Sequence, residues 1–325
     1  MAKFWIGFGI ILIGIALVGI VAVMARYFRE IRAAREQLAH LGSQVVETDC
    51  GPIEYAVVGE GYPVLVVHGD MGGFDQGLMQ THLIDAGFQV ISVSRFGYLR
   101  TPMPAEVSVT RQADAHACLL DALGIQQAAV FAFSAGATSS IRFAARHPER
   151  VSALILLCPA APGKVKVSSP PRAIFDTLMR SDFVYWAFIT YFRPYRIVGV
   201  PKGFVLTPEF EAEVKDILAK TLPLSERMDG FIFDTYGAQP EFYESISETS
   251  PYPLGEIETP VLLINAADDP YAVPENVRGL AEKFPNARLY VVPDGGHPLL
   301  GHSEEVKAEI TQFLRSNVAV LNSSH

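Results

Sequence analysis

The amino-acid sequence predicts a doubly wound α/β fold with a mostly parallel sheet, an inserted helical cap and an N-terminal transmembrane helix. Three observations support this prediction. Short apolar runs alternate with helical patterns after residue 43, one aromatic-rich interval interrupts that alternation, and the first 25 residues are almost uncharged. Strands that alternate with helices along a chain form parallel sheets covered by helices on both faces. The length of 325 residues is ample for one such core.

The N-terminal segment is predicted to cross a membrane. Phe4–Ala25 contains no charged or strongly polar side chain. As a helix it spans roughly 33 Å, enough for a hydrocarbon core of about 30 Å. The main alternative is a cleavable signal peptide that ends at Ala25, but the apolar region of such peptides is usually about 7–15 residues long. We therefore expect an uncleaved single-pass anchor in contact with membrane lipid.

A stalk, residues 26–41, continues the helical period beyond the anchor and completes a first unit, residues 1–41. One of its faces is apolar and arginines occupy the others. The apolar positions are Tyr27, Ile31, Ala34, Leu38 and Leu41. Two interpretations are open, a solvated stalk and a helix whose arginines lie among the headgroups of a cytoplasmic leaflet. Four arginines follow the anchor, so the positive-inside bias places the following domain in the cytoplasm.

The predicted core comprises residues 42–161 and 259–325. Gln44–Thr48 and Ile53–Val58 form an antiparallel hairpin that opens the sheet. The other strands are uniformly apolar, as in a parallel sheet buried on both faces. They are Pro63–Val67, Gln89–Val93, Ala128–Phe133, Val151–Leu157, Val261–Asn265 and Arg288–Val292. Helices are predicted at Phe74–Ala86, Val109–Leu123, Ala135–His147, Pro274–Phe284 and Ser303–Ser316.

Residues 162–258 interrupt the alternation and are predicted to form a helical cap. The interval has no convincing buried strand, yet it holds nearly half of the aromatic residues. A structureless loop of this length inside a domain is improbable. Most of these rings are expected to form the core of the cap. Phe183, Trp186 and Tyr191 are expected to roof an apolar pocket over the sheet.

Charge and cysteine content narrow the possible partners and sites. The net charge is −9, with the positive excess confined to the N-terminal 40 residues, so nucleic acid is not expected as a partner. Cys50, Cys118 and Cys158 are too few and too scattered for a disulfide framework or a zinc site. Their odd number favours a reducing compartment. No metal site is predicted.

A serine stands where an apolar strand runs directly into a helix. The segment from Val130 to Gly136 reads VFAFSAG, and a serine in a sharp strand-to-helix turn between small residues forms a nucleophile elbow. Ala132 occupies the place of the first glycine of the G-x-S-x-G pattern. The alternative is a serine that merely caps an ordinary helix.

The glycine-rich loop at residues 68–73 (HGDMGG) follows an early strand and suits an oxyanion hole. Acyl transfer needs backbone N–H donors in such a loop and at the residue after the nucleophile. We assign these donors to Asp70 and Ala135, with Met71 the next candidate in the loop and a neighbour of the pocket. His68 is expected to brace the loop rather than to react.

A histidine and an acid follow the last two predicted strands. His297 stands in a glycine turn, where its imidazole can lean over the carboxyl edge of the sheet. Asp268 and Asp269 lie in the loop after the strand that begins at Val261. The chain order serine, acid, histidine is the one expected when the three stand at successive strand ends of such a sheet.

Together these motifs resemble the α/β-hydrolase superfamily over residues 45–316. The similarity is greatest in the HG loop, in FSAG with the following RHPERVSALILLCPAAP, in the acid loop and in GGH. It extends to the group with a helical lid after the sixth strand. The resemblance implies that Ser134 is the nucleophile, His297 the general base and Asp269 the acid that orients it. The family pattern Gly-x-x-Asp, with Ala266 in the place of glycine, selects Asp269 over Asp268.

The resemblance implies hydrolysis of an ester or thioester of an apolar acyl group through an acyl-enzyme, without a cofactor. Epoxide hydrolases and haloalkane dehalogenases of this fold use an aspartate nucleophile, which the serine here excludes. Meta-cleavage-product hydrolases usually carry tryptophan after the histidine, where this chain has Pro298. Carbon–carbon bond hydrolysis, cofactor-free haloperoxidase activity and a non-catalytic ligand-binding scaffold remain alternatives.

Overall fold

The computed structural model describes residues 2–163, 171–245 and 254–322. Its centre is a sheet of eight strands. They are β1 (Gln44–Thr48), β2 (Gly51–Val58), β3 (Tyr62–Val67), β4 (Phe88–Val93), β5 (Ala128–Phe133), β6 (Val151–Leu157), β7 (Val261–Ala266) and β8 (Ala287–Val292). The spatial order is β1-β2-β4-β3-β5-β6-β7-β8.

Strand direction in the sheet follows the sequence prediction. Strands β1 and β2 form the predicted antiparallel hairpin, and β2 is also antiparallel to β4. All remaining pairs, from β4 to β8, are parallel. Strands β3 to β7 are mostly buried, because helices cover both faces, whereas the edge strand β8 is partly exposed. The predicted α/β fold with a mostly parallel sheet is confirmed.

Twelve helices accompany the sheet in the described residues. They are α1 (Ala2–His40), α2 (Phe74–Gly77), α3 (Thr81–Asp85), α4 (Val109–Ala122), α5 (Gly136–Arg146), α6 (Arg172–Met179), α7 (Asp182–Tyr191), α8 (Pro208–Lys220), α9 (Met228–Phe233), α10 (Gln239–Ser245), α11 (Pro274–Ala281) and α12 (Ser303–Asn322). The single helix predicted at residues 74–86 is divided into α2 and α3. The N–H groups of Met79 and Gln80 bond to carbonyls only three residues back, which ends α2 in a tight turn.

Helices α6–α10 lie between β6 and β7, in the interval predicted to be the cap. Two buried ion pairs join this interval to the core. Arg95 donates two hydrogen bonds of 2.6 Å to the Asp234 carboxylate. Arg227 donates two of 2.9 Å to Asp75, the second residue of α2, which directly follows the HG loop. Such bidentate pairs fix geometry as well as charge, so the cap is held in one position over the loop.

Helix α1 has two parts with different surroundings. Its N-terminal apolar stretch is long and apolar enough to span a membrane, and none of that window is buried against protein. The apolar face of the stalk packs on the cap, where Ile31 is buried in a cluster with Met71 and Trp186. The interpretation of the stalk as a solvated helix is therefore wrong for this face.

A disulfide joins Cys50, in the turn between β1 and β2, to Cys118 in α4. The two cysteines are 68 residues apart in sequence, but the fold packs α4 against the hairpin. The sequence excludes a disulfide framework but does not predict this single bond, because spacing along the chain does not reveal the contact. Cys158 is free and buried.

Candidate active site

Ser134 lies in a strained turn between β5 and α5. Its φ of 51° is in the left-handed region, which is unfavourable for a residue with a Cβ. The surrounding backbone holds the turn, since Ser134 N donates to Leu157 O at 2.9 Å and its carbonyl accepts from Ala160 N at 3.0 Å. Gly136 begins α5 so close to β3 that a Cβ there would lie 2.7 Å from the Val67 carbonyl oxygen. Ala132 is accommodated completely buried in β5.

The three residues predicted as nucleophile, base and acid form one chain of hydrogen-bond contacts. Ser134 Oγ lies 2.9 Å from His297 Nε2. The other ring nitrogen, Nδ1, lies 2.8 Å from Asp269 Oδ2. Because the three residues follow β5, β7 and β8, the carboxyl edge of the parallel sheet brings them together.

The Asp269 carboxylate is fully engaged. Its Oδ1 accepts from the backbone N–H groups of Tyr271 at 2.8 Å and Ala272 at 2.9 Å. Burial raises the pKa of this carboxyl. The His297 imidazole and the two backbone donors together lower it by more, so the pKa of Asp269 lies below the ordinary value. Asp268 has a different place. Its Oδ1 accepts from Gly296 N at 2.9 Å and so braces the histidine loop.

Two further residues hold the imidazole, and sequence reasoning missed both. His297 N donates to the Gly199 carbonyl at 3.1 Å, which ties the histidine loop to the cap. The edge of Tyr271 packs on the imidazole, with ring centroids 5.5 Å apart, and its hydroxyl donates to Arg196 O at 2.6 Å. No sequence motif marks Gly199, and Tyr271 is marked only by its place just after Asp269.

The HG loop lies beside the elbow, as expected for an oxyanion hole. Met71 has a positive φ of 57° in this turn. In the described part of the chain, the N–H groups of Asp70, Met71 and Ala135 have no hydrogen-bond acceptor. His68 braces the loop from below: its Nδ1 lies 2.7 Å from Gly69 O, and its Nε2 lies 3.0 Å from Arg95 N.

The electrostatic surroundings make His68 unsuitable as a base. Burial lowers its pKa well below the ordinary value, and the nearby Arg95 guanidinium lowers it further. The Asp70 carboxyl is also perturbed. Burial and the neighbouring Asp234 carboxylate raise the pKa of Asp70 well above its ordinary value. Its Oδ1 is buried and has no hydrogen-bond partner among the described residues.

A cavity of about 890 Å³ opens over Ser134 and His297. Met71 lines it as predicted, together with apolar residues of the core, the cap and α1. These include Phe133, Met179, Ile197, Val198, Leu222 and Phe231. The large volume lies at the upper end of the range for small-molecule sites.

The prediction that Phe183, Trp186 and Tyr191 roof this pocket is wrong. None of the three is among the lining residues. Trp186 is completely buried and its Nε1 donates to Glu30 of α1 at 2.7 Å. Phe183 packs on Tyr27, and Tyr191 lies near Arg26 at the end of the anchor. Helix α7 uses these rings to bind α1.

The donor set at this site does not favour a metal. Cys158, Asp269 and His297 offer atoms within 4.8 Å of one another. However, Asp269 and His297 already bind each other, and burial raises the pKa of the Cys158 thiol well above its ordinary value, which disfavours the thiolate needed for ligation. The arrangement instead suits proton transfer from a hydroxyl to an imidazole.

A sequence profile described as the alpha/beta hydrolase family matches residues 64–309. That range covers the sheet from β3 to β8, the elbow, the cap and the histidine loop. The chain belongs to the alpha/beta hydrolase family.

Curated relatives of this hydrolase differ in activity. It is 39% identical over 113 residues to an uncharacterized hydrolase, YcgS, of Bacillus subtilis, covering 35% of this chain and 40% of the relative. It is 29% identical to a poly(3-hydroxyalkanoate) depolymerase of Ectopseudomonas oleovorans over 61% of this chain and 64% of the relative. A 2-hydroxymuconate semialdehyde hydrolase of Pseudomonas putida is 27% identical, with 79% and 88% covered. The chain thus spans less than two thirds of the first two relatives.

Solved structures share the fold. An alpha/beta hydrolase fold protein from Nakamurella multipartita superposes with a TM-score of 0.67 at 29% identity, covering 84% of this chain and 99% of that one. An esterase from Thermogutta terrifontis gives a TM-score of 0.61 at 23% identity, with 85% and 98% covered. The protein is thus a member of a hydrolase family, and its relatives include a poly(3-hydroxyalkanoate) depolymerase and a 2-hydroxymuconate semialdehyde hydrolase.

Proposed function

We propose that this hydrolase is a membrane-anchored serine esterase that cleaves an ester or thioester of an apolar acyl group through an acyl-enzyme. The observation that carries the proposal is the unbroken contact chain from Ser134 Oγ through His297 to Asp269, with separations of 2.9 and 2.8 Å. This geometry lets a serine hydroxyl lose its proton during attack, which an isolated serine does not do efficiently at neutral pH.

In the proposed first half-reaction, Ser134 Oγ attacks the acyl carbon and His297 Nε2 accepts the hydroxyl proton. Asp269 holds the imidazole and stabilises its positive charge. The carbonyl oxygen becomes an oxyanion, which the N–H groups of Asp70 and Ala135 stabilise. The carbon–oxygen bond to the leaving group then breaks, and His297 returns the proton to the departing alkoxide.

In the second half-reaction, water replaces the alcohol. His297 removes a proton from the water, whose oxygen attacks the acyl carbon of the Ser134 ester. Collapse of this second intermediate breaks the bond to Oγ and releases the carboxylic acid. The proton on His297 returns to Ser134, so the enzyme ends in its starting state and no cofactor is required.

The composition of the cavity supports an uncharged, apolar acyl group. Lys220, which pairs with Asp216, is the one lysine or arginine among the described lining residues. The acidic groups are Asp70, Asp75, Glu213 and Asp216. A carboxylate-bearing substrate would meet little compensation there, because burying a charge without a partner is costly.

A carbon–carbon bond hydrolase is the second candidate. It is supported by similarity to the 2-hydroxymuconate semialdehyde hydrolase and to a 2-hydroxy-6-oxo-6-phenylhexa-2,4-dienoate hydrolase of Comamonas testosteroni. The same serine, histidine and acid would serve that reaction. A dienoate, however, is an anion, and the only lysine or arginine among the described lining residues, Lys220, is already paired with Asp216.

The test compares 4-nitrophenyl acetate, 4-nitrophenyl octanoate and a phenyl-substituted dienoate with the full-length protein in detergent micelles. Octanoate has six more methylenes than acetate, and burial of only two or three of them at roughly 0.8 kcal/mol each would raise kcat/KM by tens-fold. Turnover of the dienoate without turnover of either ester would favour the second candidate. Equal kcat/KM for acetate and octanoate would contradict the apolar pocket.

Membrane anchoring is supported by helix α1, whose apolar window has no residue buried in the protein. We propose that residues 4–25 form an uncleaved single-pass anchor. The arginines after the span support a cytoplasmic hydrolase domain. The Cys50–Cys118 disulfide supports the opposite side, since such bonds are rare in reducing compartments. We keep the cytoplasmic orientation as the proposal that a reporter assay must test.

A further inference from the structure

The stalk of α1 forms part of the wall of the active-site cavity. Ala34, Gln37, Leu38 and Leu41 line the same space as Ser134 and His297. These positions recur at intervals of three and four residues, so they share one helix face. At 1.5 Å per residue, that face extends along the cavity for about 10 Å. A helix that begins as a membrane span thus ends as a wall of the catalytic cavity.

Polar contacts hold this wall in place. Arg35 donates to Asp182 at 3.2 Å and to Glu226 at 3.0 Å, both in the cap. One turn earlier, Glu30 accepts from Trp186 Nε1 at 2.7 Å. Between these contacts, Ile31 is buried in the cluster that contains Met71 of the HG loop. The stalk is therefore packed as an integral helix of the domain and cannot be treated as a flexible tether.

The lining of the cavity is apolar along the stalk and charged on α8. Ala34, Leu38 and Leu41 are apolar, and apolar side chains of the cap and of residues 78–79 line the same cavity. On α8 the cavity is lined by the exposed carboxylates Glu213 and Asp216 and by Lys220, which pairs with Asp216. The acidic excess on α8 disfavours an anionic headgroup, whereas an apolar wall favours an extended hydrocarbon chain.

We propose that the stalk face of Ala34, Leu38 and Leu41 is the acyl-chain subsite, and that the substrate is a neutral lipid ester with a long acyl chain. This inference rests on the proposed esterase function and adds its substrate class. The anchor would then serve two purposes: it keeps the enzyme at the membrane that supplies lipid esters, and it measures the chain that reaches Ser134.

The test measures kcat/KM of the full-length protein in detergent micelles for 4-nitrophenyl acetate, octanoate and palmitate. Ala34→Leu adds bulk inside the proposed subsite and should lower the palmitate-to-acetate ratio of kcat/KM at least tenfold. Leu38→Ala enlarges the subsite and should move the preferred chain length upward. Ala33→Leu is the matched control, because Ala33 is exposed and is not among the residues that line the cavity, and its palmitate-to-acetate ratio should equal that of the wild type.

The outcomes separate this inference from the proposed function. If the wild type hydrolyses these esters but neither Ala34→Leu nor Leu38→Ala changes the chain-length profile, the stalk subsite is wrong and the esterase proposal stands. A change of the same size in Ala33→Leu would also overturn the subsite, because it would reveal a general effect on α1. If the wild type hydrolyses none of the esters and Ser134 does not react with a fluorophosphonate, the esterase proposal fails and the lipid substrate fails with it.

Discussion

Gly199 of the cap lies directly against His297. The Gly199 carbonyl accepts the His297 N–H at 3.1 Å, and a Cβ on Gly199 would lie 2.3 Å from the His297 Cβ. The Gly199 φ of 79° is also one that other residues rarely adopt. The position of the imidazole therefore depends on a glycine that belongs to the cap.

Replacing Gly199 by alanine should displace the imidazole and lower kcat by roughly 10- to 100-fold, with a smaller effect on KM, because catalysis is sensitive to misplacement of about 1 Å. Gly203→Ala is the matched control. Gly203 has a similar φ of 88°, but a Cβ added there would have no neighbouring atom within 4 Å. Steady-state kinetics with 4-nitrophenyl octanoate measures both. Equal losses in the two variants would mean that backbone strain, and not the contact with His297, is responsible.

Asp269→Asn should lower kcat by about 10³–10⁴, because the amide favours the wrong imidazole tautomer and cannot stabilise the imidazolium. Asp268→Asn should cost less than about tenfold, since this carboxylate only braces Gly296 N. Circular dichroism controls for folding of both variants. The opposite ranking, with Asp268→Asn the more damaging change, would assign the catalytic acid to Asp268.

Asp70 should make the stability of the protein depend on pH. Burial and Asp234 raise the pKa of Asp70 in the folded protein above the ordinary 3.8. The protonated Asp70 therefore contributes its full share to the free energy of unfolding below pH 3.8, and this contribution is lost as pH rises through the folded-state pKa. Asp70→Asn cannot ionise, so its Tm minus that of the wild type should be larger at pH 8 than at pH 4.5.

Differential scanning fluorimetry in detergent measures these Tm values, with Asp49→Asn at an exposed position as the control. An identical Tm difference between Asp70→Asn and wild type at both pH values would exclude an abnormal Asp70 carboxyl.

An alkaline phosphatase fusion at the C-terminus should be inactive in a bacterial host if the hydrolase domain is cytoplasmic, because that reporter folds only where disulfides form. The same fusion behind a secretion signal is the positive control. In the same cells, Cys50 and Cys118 should react with a maleimide after denaturation. Strong phosphatase activity, together with thiols that react only after reduction, would place the domain outside the cytoplasm.

The strands could be predicted from sequence to within one or two residues. Strands β3 to β7 are short, largely apolar runs, and burial on both faces demands that composition. The proximity of Ser134, Asp269 and His297 could be predicted for a related reason. Each stands just after a strand, and the carboxyl ends of parallel strands meet at one edge of the sheet.

The contacts that cap residues make with distant segments of the chain could not be predicted. The sequence predicted that Trp186 would roof the pocket, but Glu30 and Tyr27 of α1 contact its ring, which is buried away from the pocket. The Cys50–Cys118 bond was missed for the same reason, because contacts between distant segments leave no local pattern. Gly199 was overlooked since its importance arises only from its approach to His297.

The most direct test of the central claim is labelling with a fluorophosphonate, which reacts with an activated serine. The wild-type protein should gain one adduct, which peptide mass spectrometry should locate on Ser134, and should lose esterase activity in parallel. Ser134→Ala should remain folded, take up no label and lose about 10⁶ in kcat. Full esterase activity in Ser134→Ala, or an inhibitory adduct on another residue, would contradict the account.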